Sequence, residues 1–145
     1  MKVKDFKKHA IIPLITIEEG GNLATATDKL VEHNIGALPV CNSEGVLVGI
    51  ISERDLLKTI HVKQEKVGET KINDIMTKEV VVCTPEDDLD YVTNLMTTNN
   101  IRHIPIVVGS KPQGMISMRD IMENSLSECL LEVDNLHKYI SGSCL

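Results

Sequence analysis

The sequence contains the string "SERD" at 52–55 and the string "SMRD" at 117–120, each with apolar residues on both sides. Each string offers a hydroxyl, a guanidinium and a carboxylate. A carboxylate can accept two hydrogen bonds from the 2′ and 3′ hydroxyls of a ribose, as the acidic residue of dinucleotide-binding folds does. Ser and Arg can donate hydrogen bonds to phosphate oxygens. The duplicated string is therefore a candidate nucleotide-binding element.

The same residues also have a purely structural interpretation. A Ser followed three residues later by an acid predicts a capping box, in which both side chains bond the backbone where a helix begins. Arg54 and Arg119 can form surface ion pairs at the start of their helices. A helix that directly follows a strand also presents free N–H groups, which favour an anion. The two roles are compatible, and the sequence leaves both open.

Both strings lie at the end of a longer repeat. "NIGALPVCNSEGVLVGIISERDLLK" begins at Asn34 and "NIRHIPIVVGSKPQGMISMRDIME" begins at Asn100, which gives an offset of 66 residues. The offset between Ser52 and Ser117 is 65. The missing residue falls between "NSEG" and "GSKP", whose turn composition tolerates a deletion.

Each copy predicts the element order β-α-β-β-α. The first strand is expected in "IIPLITI" (11–17) and in "EVVVC" (79–83), which are rich in β-branched residues. Apolar residues at i, i+3 and i+7 then predict a helix in each copy: Leu23, Ala26 and Leu30, and Leu89, Val92 and Met96. Two strands follow, "ALPVC" with "VLVGIIS" and "HIPIV" with "GMIS", and the second helix begins at the Ser-x-Arg-Asp string.

The fold class predicted is α/β (α+β), with two such units packed sheet to sheet in pseudo-two-fold symmetry. A unit of about 55 residues buries too little surface to be stable alone. We expect unit 1 at 1–60, a polar linker at 61–71, unit 2 at 72–125 and a C-terminal helical extension at 126–145.

The extension carries apolar residues at 4-3-4-3 spacing, which favour a helix-to-helix contact in a homodimer. The alternative is that this helix folds back on its own chain. The seam consists of Leu126, Leu130, Val133, His137 and Ile140, flanked by Leu131 and Leu136.

Composition argues against several classes of function. The net charge of −6 and an aromatic set of one Phe, two Tyr and no Trp are unsuited to nucleic acid. Four cysteines without C-x-x-C spacing are expected to be isolated thiols in a reducing cytosol. Neither a membrane span nor a secretion signal is visible, so we expect a cytoplasmic protein. No catalytic triad, metal cluster or P-loop is visible either, so we expect no enzyme and no metal.

The two repeats resemble a tandem pair of cystathionine-β-synthase (CBS) domains, also called a Bateman module. The resemblance rests on "NIGALPV…VGIISERDLL" and "NIRHIPI…QGMISMRDIM" and runs from about Ile11 to Asn124. It implies a non-catalytic sensor that binds adenosine-containing ligands, such as AMP, ADP, ATP or NADH, in clefts between the units. It also implies a homodimer, and a partner protein that responds to the ligand. A ligand-free scaffold with the same fold is the alternative.

The resemblance further implies that Ser and Asp of each string contact phosphate and ribose, and that residues just before the proline contact base or phosphate. The candidate ligand-binding residues are Thr16, Gly36, Ala37, Leu38, Pro39, Ser52, Arg54 and Asp55 in the first copy, and Thr84, Arg102, His103, Ile104, Pro105, Ser117, Arg119 and Asp120 in the second.

The two copies differ before the proline. Arg102 and His103 stand where the first copy has Gly36 and Ala37. A basic pair in the cleft adds phosphate affinity, so we expect the second site to bind a phosphorylated ligand more tightly. The alternative for His103 is a half-exposed strand residue with no ligand role.

Overall fold

The computed structural model describes residues 1–6, 14–63 and 67–142 and shows the two predicted α/β units. The first contains β1 (Ile17–Glu18), α1 (Leu23–Glu32), β2 (Ala37–Cys41), β3 (Leu47–Ser52) and α2 (Glu53–Lys63). The second contains α4 (Leu89–Asn99), β4 (His103–Val108), β5 (Lys111–Ser117) and the long α5 (Met118–Ile140). The short helix α3 (Ile72–Ile75) precedes the second unit, and 3-10 turns lie at Val3–Asp5 and Val67–Glu69.

Each unit has a small sheet. In the first, β1 runs parallel to β2, and β2 pairs with β3 in an antiparallel hairpin; in the second, β4 and β5 form the equivalent hairpin. The units meet near the hairpins, where the Leu47 N–H donates to the Ser110 carbonyl oxygen over 2.9 Å. The predicted fold class is confirmed.

The first strand of each unit is shorter than the sequence predicts. Residues 11–13 lie outside the described ranges, and β1 contains only Ile17 and Glu18. The expectation of a strand over 79–83 is wrong, since only Cys83 pairs, as a parallel bridge with Ile106.

Proline explains this shortening. The Cys83 N–H donates to the Pro105 carbonyl oxygen over 3.0 Å, and the Val107 N–H donates to the Cys83 carbonyl oxygen over 2.8 Å. Extending this parallel ladder towards Val81 requires an N–H on Pro105, which proline lacks. Pro39 has the equivalent place beside β1, where Ile17 pairs with Val40.

Aliphatic side chains fill one core in each unit, as the scarcity of aromatic residues predicts. The apolar faces of α1 and α4 are buried against the sheets, and burying each Leu, Val or Met side chain contributes about 1.5–3 kcal/mol. The first core contains Ile17, Leu23, Ala26, Leu30, Leu38, Val40, Ile51, Ile72 and Met76. The second contains Val3, Phe6, Cys83, Leu89, Val92, Met96, Ile104, Ile106, Ile116 and Ile121.

Each core also includes a segment that precedes the other repeat in the sequence. Val3 and Phe6, at the start of the chain, are buried in the core of the second unit. Ile72 and Met76, which follow the first repeat, are buried in the core of the first unit. Neither core is built from one contiguous stretch of chain.

Backbone hydrogen bonds hold the two exchanged segments in equivalent places. The Val3 N–H donates to the Asp87 carbonyl oxygen over 2.9 Å, and the Ile72 N–H donates to the Gly21 carbonyl oxygen over 3.0 Å. Both acceptors lie just before the helix that opens a unit, α4 or α1. The two units are therefore tied together reciprocally.

Helices α1 and α4 end at equivalent asparagines. Asn34 has φ 50° and Asn100 has φ 52°, which is the left-handed region that Asn tolerates better than most residues. This conformation turns the chain back towards β2 and β4, and it explains why both repeats begin with Asn.

Helix α5 extends beyond the second core. Every residue from Ser125 to Ile140 is exposed, including the apolar residues of the predicted seam. None of the helices within the described ranges is long and apolar enough to cross a membrane.

Gly49 on β3 provides a test of the packing between β3 and the segment after α3. A Cβ added at Gly49 would lie 2.5 Å from Met76 Sδ and 3.1 Å from the Thr77 carbonyl oxygen. We expect Gly49→Ala to lower the free energy of unfolding by about 1–3 kcal/mol, because the core must move to accommodate the methyl group. Urea denaturation measures this.

The matched control is Gly20→Ala, since a Cβ at Gly20 would meet nothing within 4 Å. We expect that change to stay within about 0.5 kcal/mol of the wild type. Equal effects of the two substitutions would contradict the packing described at Gly49.

Candidate functional site

The residues before the proline and the Ser-x-Arg-Asp string meet at one end of each hairpin, where the second helix of the unit begins. Ala37 lies opposite Ser52 in the first hairpin, and His103 lies opposite Ser117 in the second. The Glu53 N–H donates to the Gly36 carbonyl oxygen over 3.0 Å. The register thus brings the residues before the proline next to the Ser-x-Arg-Asp string.

In the second unit this junction is a complete capping box. The Asp120 N–H donates to Ser117 Oγ over 3.1 Å, and the Ser117 N–H donates to Asp120 Oδ2 over 3.1 Å. The structural interpretation of this string is therefore confirmed. Such a cap contributes about 0.5–2 kcal/mol to helix stability.

In the first unit the aspartate again turns back to its serine. Asp55 Oδ2 accepts hydrogen bonds from the Ser52 N–H over 2.8 Å and from Ser52 Oγ over 3.1 Å. Both of these bonds use the same carboxylate oxygen. Within the described residues no hydrogen bond to Oδ1 of Asp55 is seen, so that oxygen can accept one from a ligand.

The two arginines of the strings lie on the surface. Arg119 Nε donates to Glu123 Oε1 over 3.1 Å, one turn further along α5, and the Arg119 side chain is 84% exposed. This is the surface ion pair that the alternative interpretation predicted. Arg54 is exposed at the equivalent place on α2.

The residues around the prolines are mostly buried. Leu38 and Ile104 are fully buried in the two cores, and Pro39 and Pro105 are buried beside them. Ala37 is buried as well. These positions therefore shape the wall behind the junction, and what they present to a ligand is chiefly backbone.

Thr16 and Thr84 lie at the beginning of the paired segments. The Thr16 carbonyl oxygen accepts a hydrogen bond from Lys29 Nζ over 2.9 Å, and Thr16 is half-buried. The exposed Thr84 donates its N–H to Asp87 Oδ2 over 2.7 Å.

His103 connects the two candidate sites. A Cβ added at Gly36 would lie 2.9 Å from His103 Cε1, 3.0 Å from His103 Nε2 and 3.3 Å from Glu53 Oε1. The imidazole of the second unit therefore lies against the glycine of the first, beside the Glu53 carboxylate. A side chain at position 36 would occupy the space of the ring, so the small residue in one copy accommodates the large residue in the other.

Burial lowers the pKa of His103 below its ordinary value of 6.5. Glu53 and Asp120 raise the pKa and Arg102 lowers it, but desolvation of the half-buried ring has the largest effect. His103 is therefore neutral at neutral pH. Of the basic pair expected in the second cleft, only the exposed Arg102 then carries a positive charge.

An open depression of about 250 Å³ lies beside Asp55 along α2. It is lined by Asp55, Lys58, Thr59, Val62, Lys63 and Ile75. Two ammonium groups near a carboxylate with a free oxygen can bind a molecule that carries both hydroxyls and phosphates.

Sequence reasoning missed Lys58, Lys63 and Glu53. The two lysines lie three and eight residues after Asp55, about 60° and 80° from it on opposite sides of α2. Both line the depression beside Asp55, so their spacing from that residue was a usable signal. Glu53 occupies the variable position of the string. Only its place beside His103 of the second unit draws attention to it. Within the described ranges there is no cluster of residues able to hold a metal ion.

Comparison with known proteins identifies the family. The CBS domain family matches residues 3–62 and 72–127, which together cover most of the chain. The chain belongs to the CBS-domain family.

A curated relative is also a CBS domain-containing protein. A mitochondrial CBS domain-containing protein of Arabidopsis thaliana, CBSX3, is 38% identical over 121 residues, which are 81% of this chain and 59% of the relative. The chain thus spans a little over half the length of that plant protein.

Solved structures have the same fold. A CBS-domain protein from Agrobacterium tumefaciens superposes with TM-score 0.80 at 29% identity, covering 86% of this chain and 99% of the other. The CBS domain pair of protein MJ0100 superposes with TM-score 0.79 at 28% identity, covering 88% and 98%. The latter was determined in complex with 5′-methylthioadenosine and S-adenosyl-L-methionine.

His103 makes the stability of the CBS pair depend on pH. Because its pKa is lower in the folded protein than in the unfolded chain, the unfolded chain binds more protons in acid. The stabilising contribution of the neutral ring is complete above the unfolded pKa of 6.5 and is lost as the pH falls towards the folded value. We therefore expect the stability advantage of wild type over His103→Gln to shrink between pH 7.5 and 5.5.

Urea denaturation of both proteins at each pH measures this difference, in which the contributions of the other histidines cancel. The exposed His33 serves as the control, since His33→Gln should follow the wild type across the range. A gap between wild type and His103→Gln that stays constant or widens in acid would contradict the buried neutral ring.

Proposed function

We propose that this chain is a non-catalytic regulatory module that binds adenosine-containing nucleotides, namely AMP, ADP, ATP or NADH, between its two CBS units. A partner protein then responds to the ligand. The ligand must favour one arrangement of the two units over another for any such response. The reciprocal exchange of core segments gives the ligand a way to act on both units at once.

The observation that carries the proposal is the duplicated junction between strand and helix. Each junction places an aspartate carboxylate, a serine hydroxyl and a helix N-terminus within one turn of each other. A carboxylate suits a ribose diol, and a hydroxyl with helix N–H groups suits a phosphate. At Asp55 one carboxylate oxygen makes the capping bonds, which leaves the other for a sugar hydroxyl.

The relatives support the chemical class of the ligand. Both molecules in the MJ0100 complex, 5′-methylthioadenosine and S-adenosyl-L-methionine, contain adenosine. Adenosine, rather than the attached group, is therefore what we expect the clefts of this chain to recognise. Lys58 and Lys63 beside Asp55 favour a phosphorylated form.

Substituting each aspartate by asparagine separates the capping role from ligand binding. Asparagine keeps one oxygen that can accept the Ser N–H but replaces the second oxygen with a donor. We expect Asp55→Asn and Asp120→Asn each to weaken nucleotide binding at their own site by about ten- to a hundred-fold, because a hydrogen bond to a charged group contributes about 1.5–3 kcal/mol. Isothermal titration with AMP, ATP and NADH measures the affinities.

Asp28→Asn, which removes an exposed carboxylate from α1, is the matched control and should bind like wild type. Circular dichroism verifies that α2 and α5 remain folded in each variant. If none of the three nucleotides binds below millimolar concentration, or if both site variants bind like wild type, the proposal is wrong.

The second candidate function is a ligand-free scaffold with the CBS fold. The complete capping box at Ser117 and Asp120 favours it, because those side chains already have a structural role. A melting temperature that does not change with nucleotide, together with a stable oligomer, would select this function, since any ligand that binds the folded state raises the melting temperature.

We also propose that α5 binds the α5 of a second copy. With 3.6 residues per turn, Leu126, Leu130, Val133 and Ile140 fall within an arc of about 80°. All four are exposed on a helix segment that has left the body of its own unit. A single apolar stripe on an isolated helix is stable in water only when it is covered. An exposed stripe of this kind can pack against the same stripe of a second copy.

Leu130 and Leu131 offer a matched pair of substitutions for this dimer. Their exposed fractions are similar, 61% and 64%. Leu130 lies within the stripe, whereas Leu131 lies about 140° around the helix from Leu126. We expect Leu130→Glu to raise the dissociation constant of the dimer at least roughly tenfold, because it buries a charge, and Leu131→Glu to leave it unchanged.

Sedimentation equilibrium of the three proteins gives the dissociation constants. A monomeric wild type, or equal effects of the two glutamates, would show that α5 does not form the dimer.

We propose a cytoplasmic location. Cys41, Cys83 and Cys129 are free thiols, as expected in a reducing compartment. Burial raises the pKa of Cys83 to about 12 and also raises that of Cys41, so both are inert structural residues.

A further inference from the structure

His103 lies where the second unit contacts the first. Its ring contacts Gly36 of the first unit, and its backbone pairs with Ser117, whose helix carries Asp120. The imidazole therefore contacts the first unit and lies close enough to Asp120, the ribose-binding carboxylate proposed for the second, for that charge to affect its pKa. A ligand phosphate attached to a sugar at Asp120 would come close to this ring.

The charges that face His103 come from two helices and from the residue just before it. Glu53 on α2 and Asp120 on α5 are carboxylates, and Arg102 is its neighbour before β4. Two carboxylates against one guanidinium leave a negative excess around the neutral ring. Such a site repels a phosphate unless it gains a positive charge.

We propose that His103 links phosphate binding to proton uptake: a phosphate entering beside Asp120 is bound by the imidazolium form of His103. This inference rests on the proposed nucleotide site. The proton removes the negative excess, and the imidazolium then donates a charge-assisted hydrogen bond to the phosphate. Without ligand, the half-buried ring has too little solvation to stay charged at neutral pH.

Proton uptake makes the affinity depend on pH in a specified direction. Where the free ring is neutral and the bound ring is charged, affinity rises as pH falls, by at most about tenfold per pH unit for one proton. A ligand without phosphate gains nothing from the charge. We therefore expect the affinity for a nucleotide to be higher in acid than at neutral pH, and the affinity for a nucleoside to be the same in both.

The experiment compares AMP with adenosine on the full chain. Isothermal titration at pH 6.5 in buffers of different ionisation enthalpy gives the number of protons taken up with each ligand. We expect wild type to take up more protons with AMP than His103→Gln does, and to show a steeper gain in AMP affinity between pH 7.5 and 6.0. Adenosine should bind both proteins alike at every pH. Any proton that the phosphate of AMP itself takes up is measured with His103→Gln as well. The difference between the two proteins is therefore the contribution of His103.

Two further measurements keep the result interpretable. His33→Gln, which removes an exposed histidine at the end of α1, should behave as wild type. Proton NMR of the imidazole carbon-bound hydrogens should show the titration midpoint of His103 moving to higher pH when AMP is added. If His103→Gln does not fold, His103→Asn takes its place in the comparison. The NMR measurement uses the wild type and needs neither variant.

The outcomes separate this inference from the proposed function. Equal proton uptake and equal pH slopes in wild type and His103→Gln would overturn the linkage while leaving nucleotide binding intact. Failure of both AMP and adenosine to bind at any pH would overturn both proposals. A His103 midpoint that AMP lowers or leaves unchanged would overturn the linkage alone.

Discussion

The structure depends on a reciprocal exchange in which each unit completes its core with a segment that precedes the other repeat. Val3 and Phe6 fill the second core, while Ile72 and Met76 fill the first. A single unit without the exchanged segment would expose part of its core and lack a backbone partner where its first helix begins. Small units are marginal for lack of buried surface, and the exchange removes that weakness. It also means that neither unit can shift without disturbing the core of the other.

The second constraint is the register of the two hairpins. It places the residue two before each proline opposite the serine that begins the second helix. The duplication therefore reproduces the backbone geometry of the junction, while leaving the side chains free to diverge. They have diverged in a complementary way, because Gly36 in one copy leaves the space that His103 of the other copy occupies. The resulting pair joins the two junctions, so the asymmetry of the sequence becomes a contact between the units.

The sequence predicted the two units, their hairpins and the faces of α1 and α4, because helical periodicity and turn composition are local signals. The two Ser-x-Arg-Asp strings could also be found in the sequence, because repetition at a fixed offset separates them from chance. The exchange of Val3 and Ile72 was not predicted, although "VKDF" and "INDI" are alike. Local sequence patterns do not determine which of two similar cores a segment joins. The strand expected at 79–83 does not form, and the reason is visible only in the hydrogen bonds between Cys83 and β4. β-Branched residues favour extended chain, but Pro105 offers no N–H to the next rung of the ladder.

The capping and ligand-binding roles of the aspartates need not compete. A carboxylate has two oxygens, and a cap occupies one of them with backbone donors that fix the orientation of the other. At Asp55 the Ser52 N–H and hydroxyl both bond Oδ2. An acceptor held in this way would lose little conformational entropy on binding a ribose, so under the proposed function the cap pre-organises the site. Under the proposed function, the same residue type at the same helix position stabilises the fold before binding and recognises the sugar afterwards.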